Sequence, residues 1–316
     1  MSLPRRISPA VVVNTALATT LLAVLAAGDA GPLGLTPDDV GSSLGAADPA
    51  APGPVWERAG AAPRSLQPPD GATALLTEAV APLIAEGDTR LSVAVVSLET
   101  GASAAYGDDL YDTASIAKVD ILAVLLLQAQ DEGRQLTQAE RQSAEVMIQR
   151  SDNAAADELW RSIGGAPGLD AANERLGLTE TTGGPDGHWG LTQTTSADQI
   201  ALLRVVYGDD SPLDAASRSY IRELMAGVVP GQRWGISAAA DEAFELKNGW
   251  LPRTRTGLWD VNSIGRVTSG GEEYLVAVVS DGHLTHADGI AVVETAAVAA
   301  VDALSTGART GQRPGV

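Results

Sequence analysis

Only two lysines occur in this chain of 316 residues, against 19 arginines, and both stand in strings whose residue types can do chemistry. The first string is Ser115-Ile116-Ala117-Lys118. On a helix the i, i+3 spacing puts the Ser115 hydroxyl and the Lys118 amine on one face, within hydrogen-bond reach. A lysine desolvated by apolar neighbours has a lowered pKa and can accept a proton from serine, which arginine cannot do. At a helix start the Ser115 N–H is also an orphan donor, and the helix end favours developing negative charge. Taken alone, the string is common by chance and reads as a capping serine followed by a surface lysine.

The second string is Ser151-Asp152-Asn153, at an expected turn between two helices. A hydroxyl and a carboxamide two residues apart can point into one cleft, the serine relaying a proton and the asparagine donating to an amide carbonyl. All three residue types are also helix caps. The third is Lys247-Asn248-Gly249, followed by Trp250, on a strand expected from Phe244. Lys247 could hold a carboxylate, Gly249 would let a substrate approach the strand closely, and the Trp250 N–H could join that of Ser115 as an oxyanion donor. Both positions that call for a compact ammonium carry lysine in a chain that otherwise uses arginine.

The elements that must position these groups can be read from periodicity. A helix is predicted over Ala72–Glu86, then an alternating strand Leu91–Leu98, a turn at Glu99-Thr100-Gly101 and a second strand Ala102–Tyr106. Helices follow over Ile116–Glu132, Gln138–Arg150 and Ala154–Arg161, the second opening with the capping box Thr137-x-x-Glu140. Two more are expected at Ala197–Tyr207 and Leu213–Ala226, with Ser211 and Pro212 as the start signal of the latter. The chain then reads strand Phe244–Trp250, strand Leu258–Val267, strand Tyr274–Ser280 and helix Gly289–Leu304. This order predicts an α+β fold: an antiparallel sheet of about five strands, completed by joining the two ends of the folded region and flanked by helices, with an all-helical lobe between.

The folded region is expected to span residues 71–316. Residues 1–27 pair Arg5 and Arg6 with an apolar run from Ala10 to Ala27 and contain no acidic residue, the layout of a signal peptide or an uncleaved membrane anchor. Residues 28–70 hold 8 of the 17 prolines and read as a disordered Pro/Gly/Ala-rich linker. Their Gly41-Ser42-Ser43-Leu44-Gly45 matches a nucleophile elbow formally but lacks the strand and helix that an elbow needs. These features predict an exported protein, secreted or held at the cell envelope, meeting membrane only through the N-terminal segment if that is uncleaved. A chain without cysteine has no disulfide, no thiol nucleophile, no Cys-bound metal and no residue for a lipoprotein anchor. A net charge of −19 argues against nucleic acid as a partner.

In order and placement, Ser115-x-x-Lys118, Ser151-Asp152-Asn153 and Lys247-x-Gly249 resemble the active-site motifs of the penicillin-recognising serine enzymes, especially the class A β-lactamases. The resemblance covers about Ala72 to Leu304. It implies a β-lactamase/transpeptidase-like fold and a serine hydrolase that opens an amide, in a β-lactam or a peptidoglycan-type peptide, through an acyl-serine intermediate. A monomer with no cofactor and no metal is expected. By the same resemblance Ser115 is the nucleophile, Lys118 its base partner and Ser151 the proton shuttle to the leaving nitrogen. Asn153 and Lys247 would hold the substrate amide and carboxylate, and the N–H groups of Ser115 and Trp250 would form the oxyanion hole. Two other readings are a D-Ala-D-Ala carboxypeptidase or penicillin-binding protein that deacylates slowly, and a non-catalytic envelope-binding module.

The chain departs from the class A pattern in three places. Between Asn153 and Lys247 it has no E-x-x-L-N string, whose Glu orients the deacylating water in that family; Glu180 and then Asp186 are the nearest candidates for the base. The stretch from Lys118 to Ser151 is short for the family, which implies a more open cleft. Asn248 stands where Thr or Ser is usual. Outside the motifs, His283 and His286 read as surface or capping residues, His188 beside Trp189 as part of a loop, and Trp160, Trp234 and Trp259 as packing anchors.

Overall fold

The computed structural model describes residues 70–85 and 87–311, so the expected export segment and all but the last residue of the expected linker lie outside the described residues. Five strands form one antiparallel sheet: β1 (Arg90–Ser97), β2 (Ser103–Tyr106), β5 (Ala243–Pro252), β6 (Trp259–Ser269) and β7 (Glu272–Asp281), in the order β2-β1-β7-β6-β5. The N-terminal hairpin joins the C-terminal meander through β1 and β7, where Val95 lies opposite Val276. The expected sheet built from both ends is therefore the observed one. A separate two-stranded pair, β3 (Tyr111–Asp112) with β4 (Gln193–Thr194), was not anticipated.

Strand alternation divides the core in two. Leu275, Ala277 and Val279 of β7 face a cluster with α2 (Ala117–Asp131) and α6 (Ser196–Tyr207), while Tyr274, Val276 and Val278 face the other side. There α1 (Asp70–Val80) and α8 (His286–Gly311) cover the sheet. His286–Thr306 is apolar and long enough to cross a membrane, yet its Val293, Ala296, Ala297, Ala300 and Leu304 are buried in this core.

The helical lobe adds α3 (Gln138–Gln149), α4 (Asn153–Ser162), α5 (Gly165–Leu176) and α7 (Ala215–Ala226). The Thr137/Glu140 capping box forms as predicted, with Glu140 N–H on Thr137 Oγ1 and Thr137 N–H on Glu140 Oε2. Three expectations need correction. The helix expected to run to Glu86 gives way at Val80 to a 3-10 turn, Ala81–Ile84, because Pro82 cannot donate to an α-helical ladder. The start of α7 lies at Ala215, since Asp214 caps it by accepting from Ser217 N–H at 2.7 Å; Ser211 and Pro212 belong to the preceding turn. Finally, α5 was missed, because its opening Gly165-Ala166-Pro167-Gly168 reads as a breaker; its Pro falls in the first turn, where the missing N–H costs no intrahelical bond.

Candidate active site

The turn that carries Ser115 is bent by Ala114, whose φ of 46° lies in the left-handed region, and continues as a 3-10 turn (Ala114–Ile116) straight into α2. The sheet fixes this turn: Asn262 Nδ2 on β6 donates to the carbonyls of Asp112 (2.9 Å) and Thr113 (3.0 Å). Arg253, in the β5–β6 hairpin, bridges Asp112 and Asp260. Lys118 is thus the second residue of α2, one turn past Ser115, and its Nζ lies 3.0 Å from Ser115 Oγ.

Lys118 has no exposed surface. Its other partners are the Ser151 carbonyl (2.8 Å), Ser151 Oγ (3.1 Å) and Asn153 Oδ1 (2.8 Å). Burial, only partly offset by Asp152 and Asp157, lowers its pKa to about 7. In the neutral form the amine can donate its two hydrogens to the two carbonyl oxygens at 2.8 Å and turn its lone pair to Ser115, ready to take the hydroxyl proton.

The second motif combines both of its sequence readings. Asp152 caps α4 by accepting from Ala155 N–H at 2.8 Å, and that cap leaves its two neighbours facing the site. Ser151 sits in the left-handed region (φ 58°), and its Oγ receives Lys118 from one side and Lys247, at 3.0 Å, from another. With Lys247 donating to this oxygen, and Lys118 as well when it is protonated, the hydroxyl proton of Ser151 is left to point elsewhere.

On β5 the side chains alternate. Lys247 is fully buried, with its Nζ on Ser151 Oγ and the Asn248 carbonyl (2.8 Å); burial, with Lys118 nearby, holds its pKa well below the usual lysine range. Asn248 faces the α8 side, donating to the carbonyls of Gln232 and Trp234 and accepting from Ser263, so it knits the sheet to the 230–240 segment. Gly249 returns to the cleft side, and the reason for glycine differs from the one expected. A Cβ there would stand 2.7 Å from the Thr113 carbonyl, 2.8 Å from Ser115 N and 2.9 Å from Ile116 N, so glycine lets the strand, not a substrate, approach the Ser115 turn. The Trp250 ring packs on the far face against Trp234 and His286, which leaves its backbone beside Gly249 as the part near the site.

Neither candidate deacylation base is hydrogen-bonded to Ser115, Lys118 or Ser151. Glu180 is exposed and its carboxylate accepts from Thr195 Oγ1 at the start of α6, while Asp186 is exposed on a 3-10 turn at φ 53°. What approaches Lys118 from the 185–191 segment is Trp189, whose ring centre lies 4.6 Å from Nζ and whose Nε1 donates to Asp157 Oδ1 at 2.7 Å. Neither Trp189 nor Asp157 stands in one of the three motifs, so no local signal in the sequence marks them. A cleft of about 490 Å³ opens beside them, lined by Asn153, Asp157, Trp189, Leu251 and Arg253 among others. His283, expected at the surface, is buried against Ser280 (2.8 Å), and His286 is packed among Trp234, Trp250 and Trp259. Among the described residues no cluster of His, Asp and Glu suits a metal ion.

An antiparallel five-stranded sheet with a helical lobe, and two lysines meeting at a pair of serines between them, define the penicillin-recognising serine hydrolase class. The chain belongs to the beta-lactamase enzyme family, whose model matches residues 139–304. A curated relative, "Putative lipoprotein LppW" of Mycobacterium tuberculosis, is 33% identical over 171 residues, 51% of this chain and 54% of the relative. The chain thus spans about half the length of the curated relatives it matches. Among solved structures, the TLA-1 extended spectrum beta-lactamase superposes with a TM-score of 0.67 at 17% identity, over 74% of this chain and 99% of that one. A mutant of PBP-A, solved as an acyl-enzyme complex with penicillin G, gives 0.64 at 20% identity over 76% and 98%. At these identities the likeness to the two structures is one of fold.

Proposed function

We propose that this protein is an exported serine hydrolase that opens an amide bond, in a β-lactam or a related cell-wall peptide, through an acyl-Ser115 intermediate. The observation that carries the reading is the fully buried Lys118 amine, 3.0 Å from Ser115 Oγ and with no carboxylate within ion-pair distance among the described residues. Such an amine is held near neutrality and can act as a base. Ser115 Oγ attacks the amide carbon and its proton passes to Lys118. The C–N bond breaks as the leaving nitrogen takes the Ser151 proton, and Lys118 returns one to Ser151 across 3.1 Å. The N–H groups of Ser115 and Trp250, on backbones that adjoin at Gly249, supply the oxyanion donors. Asn153 Nδ2 holds the substrate amide carbonyl, and the Lys247 amine is the donor for its carboxylate.

A second reading, a carboxypeptidase or penicillin-binding protein with slow deacylation, is favoured by Glu180 and Asp186, neither of which is hydrogen-bonded to Ser115, Lys118 or Ser151. The N-terminal pattern supports an envelope or secreted location, and so does the name of the relative, "Putative lipoprotein LppW". Intact-mass measurement after minutes and hours with a penicillin tests the activity. A covalent adduct that Ser115→Ala abolishes is expected: one that appears and clears marks the lactamase, and one that persists marks the second reading. No adduct at any time would remove both.

A further inference from the structure

Hydrolysis of acyl-Ser115 needs a water whose oxygen bonds to the acyl carbon as the bond to Ser115 Oγ breaks. One water proton goes to a base, and Oγ regains a proton from it. That water must stand within hydrogen-bond reach of the base. The structure leaves it no such place beside Lys118. The amine is enclosed by Ser115 Oγ, both oxygens of Ser151 and Asn153 Oδ1, and the indole of Trp189 lies over it with its ring centre 4.6 Å away.

The indole is fixed at both ends. Its Nε1 donates to Asp157, and the Trp189 carbonyl accepts from Thr113 Oγ1 (3.4 Å) and from Thr192 N–H (3.1 Å). Thr113 in turn donates its N–H to the Thr192 carbonyl at 2.8 Å, so the segment carrying Trp189 is tied to the turn carrying Ser115. The carboxylates of this region each have a partner or stand in solvent: Asp152 accepts as the α4 cap, Asp157 from the indole and Glu180 from Thr195, and Asp186 is exposed on its own turn. Ser115 itself is only half-buried, so a substrate can reach the hydroxyl while Lys118, with no exposed surface, is closed to solvent.

We propose that Trp189 sets the lifetime of the acyl-enzyme, its Asp157-anchored indole covering the face of Lys118 from which an activated water would reach the ester. Trp189 is a positioning residue that acts by excluding water, and it separates acylation, which needs only the contacts already made, from hydrolysis, which needs a vacant site. The inference rests on acyl-Ser115 chemistry.

The test is time-resolved intact mass of the full chain with benzylpenicillin, following both formation and loss of the adduct. Trp189→Ala is expected to lose the adduct about tenfold faster or more than wild type while still forming it, and Trp189→Phe, which keeps a ring without the Asp157 anchor, to lose it at a rate between the two. A merely structural role would slow formation and loss together, and that result overturns the proposal, as does equal loss from wild type and Trp189→Ala. Absence of any adduct on wild type would instead remove the acyl-Ser115 reading, and the proposal with it. If Trp189→Ala does not fold, Asp157→Ala frees the indole from its exposed anchor and carries the same comparison, with faster loss expected and unchanged loss overturning it.

Discussion

Lys118 and Lys247, the only lysines in the chain, donate to the same oxygen, Ser151 Oγ, from 3.1 and 3.0 Å. Burial out of water drives both amines toward their neutral forms, and for Lys247 the nearby Lys118 adds to that drive. Ser151 is the atom at which that drive can be relieved, by passing a proton outward.

The first prediction concerns pH. The base form of Lys118 requires loss of a proton at about pH 7, so acylation should rise with pH below that point and level off above it, as measured by the rate of adduct formation. Lys118→Arg should abolish it. Stability carries the same sign. Between about pH 7 and the unfolded value of 10.5 the unfolded chain binds more protons at this site, so the contribution of Lys118 to stability rises with pH. The margin by which Lys118→Met exceeds wild type in urea denaturation should therefore narrow from pH 7 to pH 10.

Gly249→Ala would press a methyl group onto backbone atoms of Thr113, Ser115 and Ile116 that cannot swing aside. A loss of about 1–3 kcal/mol in stability is expected. Adduct formation should fall about tenfold or more, because the turn that aims Ser115 must shift.

Asp120, buried on α2, accepts from Asn173 Nδ2 at 3.1 Å, while its Oδ1 and the Asn173 Oδ1 are both buried without partners. Burial raises its pKa to about 7. Above its ordinary value of 3.8 the native state then binds more protons than the unfolded one, so this site costs stability increasingly as pH rises to about 7. Asp120→Asn should stabilise the protein at pH 8 by on the order of 2 kcal/mol, an advantage that shrinks toward pH 4 in thermal melts.

Asp152→Ala removes the α4 cap, for a loss of about 1 kcal/mol. Because Ser151 and Asn153 flank that cap, adduct formation should fall by more than the melting temperature would suggest, and Asp152→Asn should restore both.

Much of this was legible in the chain. The Thr137/Glu140 box, the alternating strands at both ends and the three motifs depend on neighbours a few residues apart, and local spacing fixes those. Helix α5 was hidden because its Gly and Pro signals are the same for a break and for a first turn. The placement of Glu180 and Asp186 was open because a carboxylate serves as a base only where the chain delivers it, and the path from α5 to α6 is set by the β3–β4 pairing and by Asp198, which receives Glu180 N–H at 2.8 Å.

The sequence by itself determined which groups could react: a serine with a lysine one helical turn on, a second serine with an asparagine, and lysine at the two places where arginine could not serve. It also determined the α+β order, since periodicity is a local property. Only the tertiary structure decided that both lysines meet at Ser151, that Gly249 is small for the sake of the Ser115 turn, and that an indole lies over Lys118. Those contacts join residues as far apart in sequence as Thr113 and Gly249, 136 positions, and such distances are closed by packing of the sheet and the lobe, which no local pattern encodes.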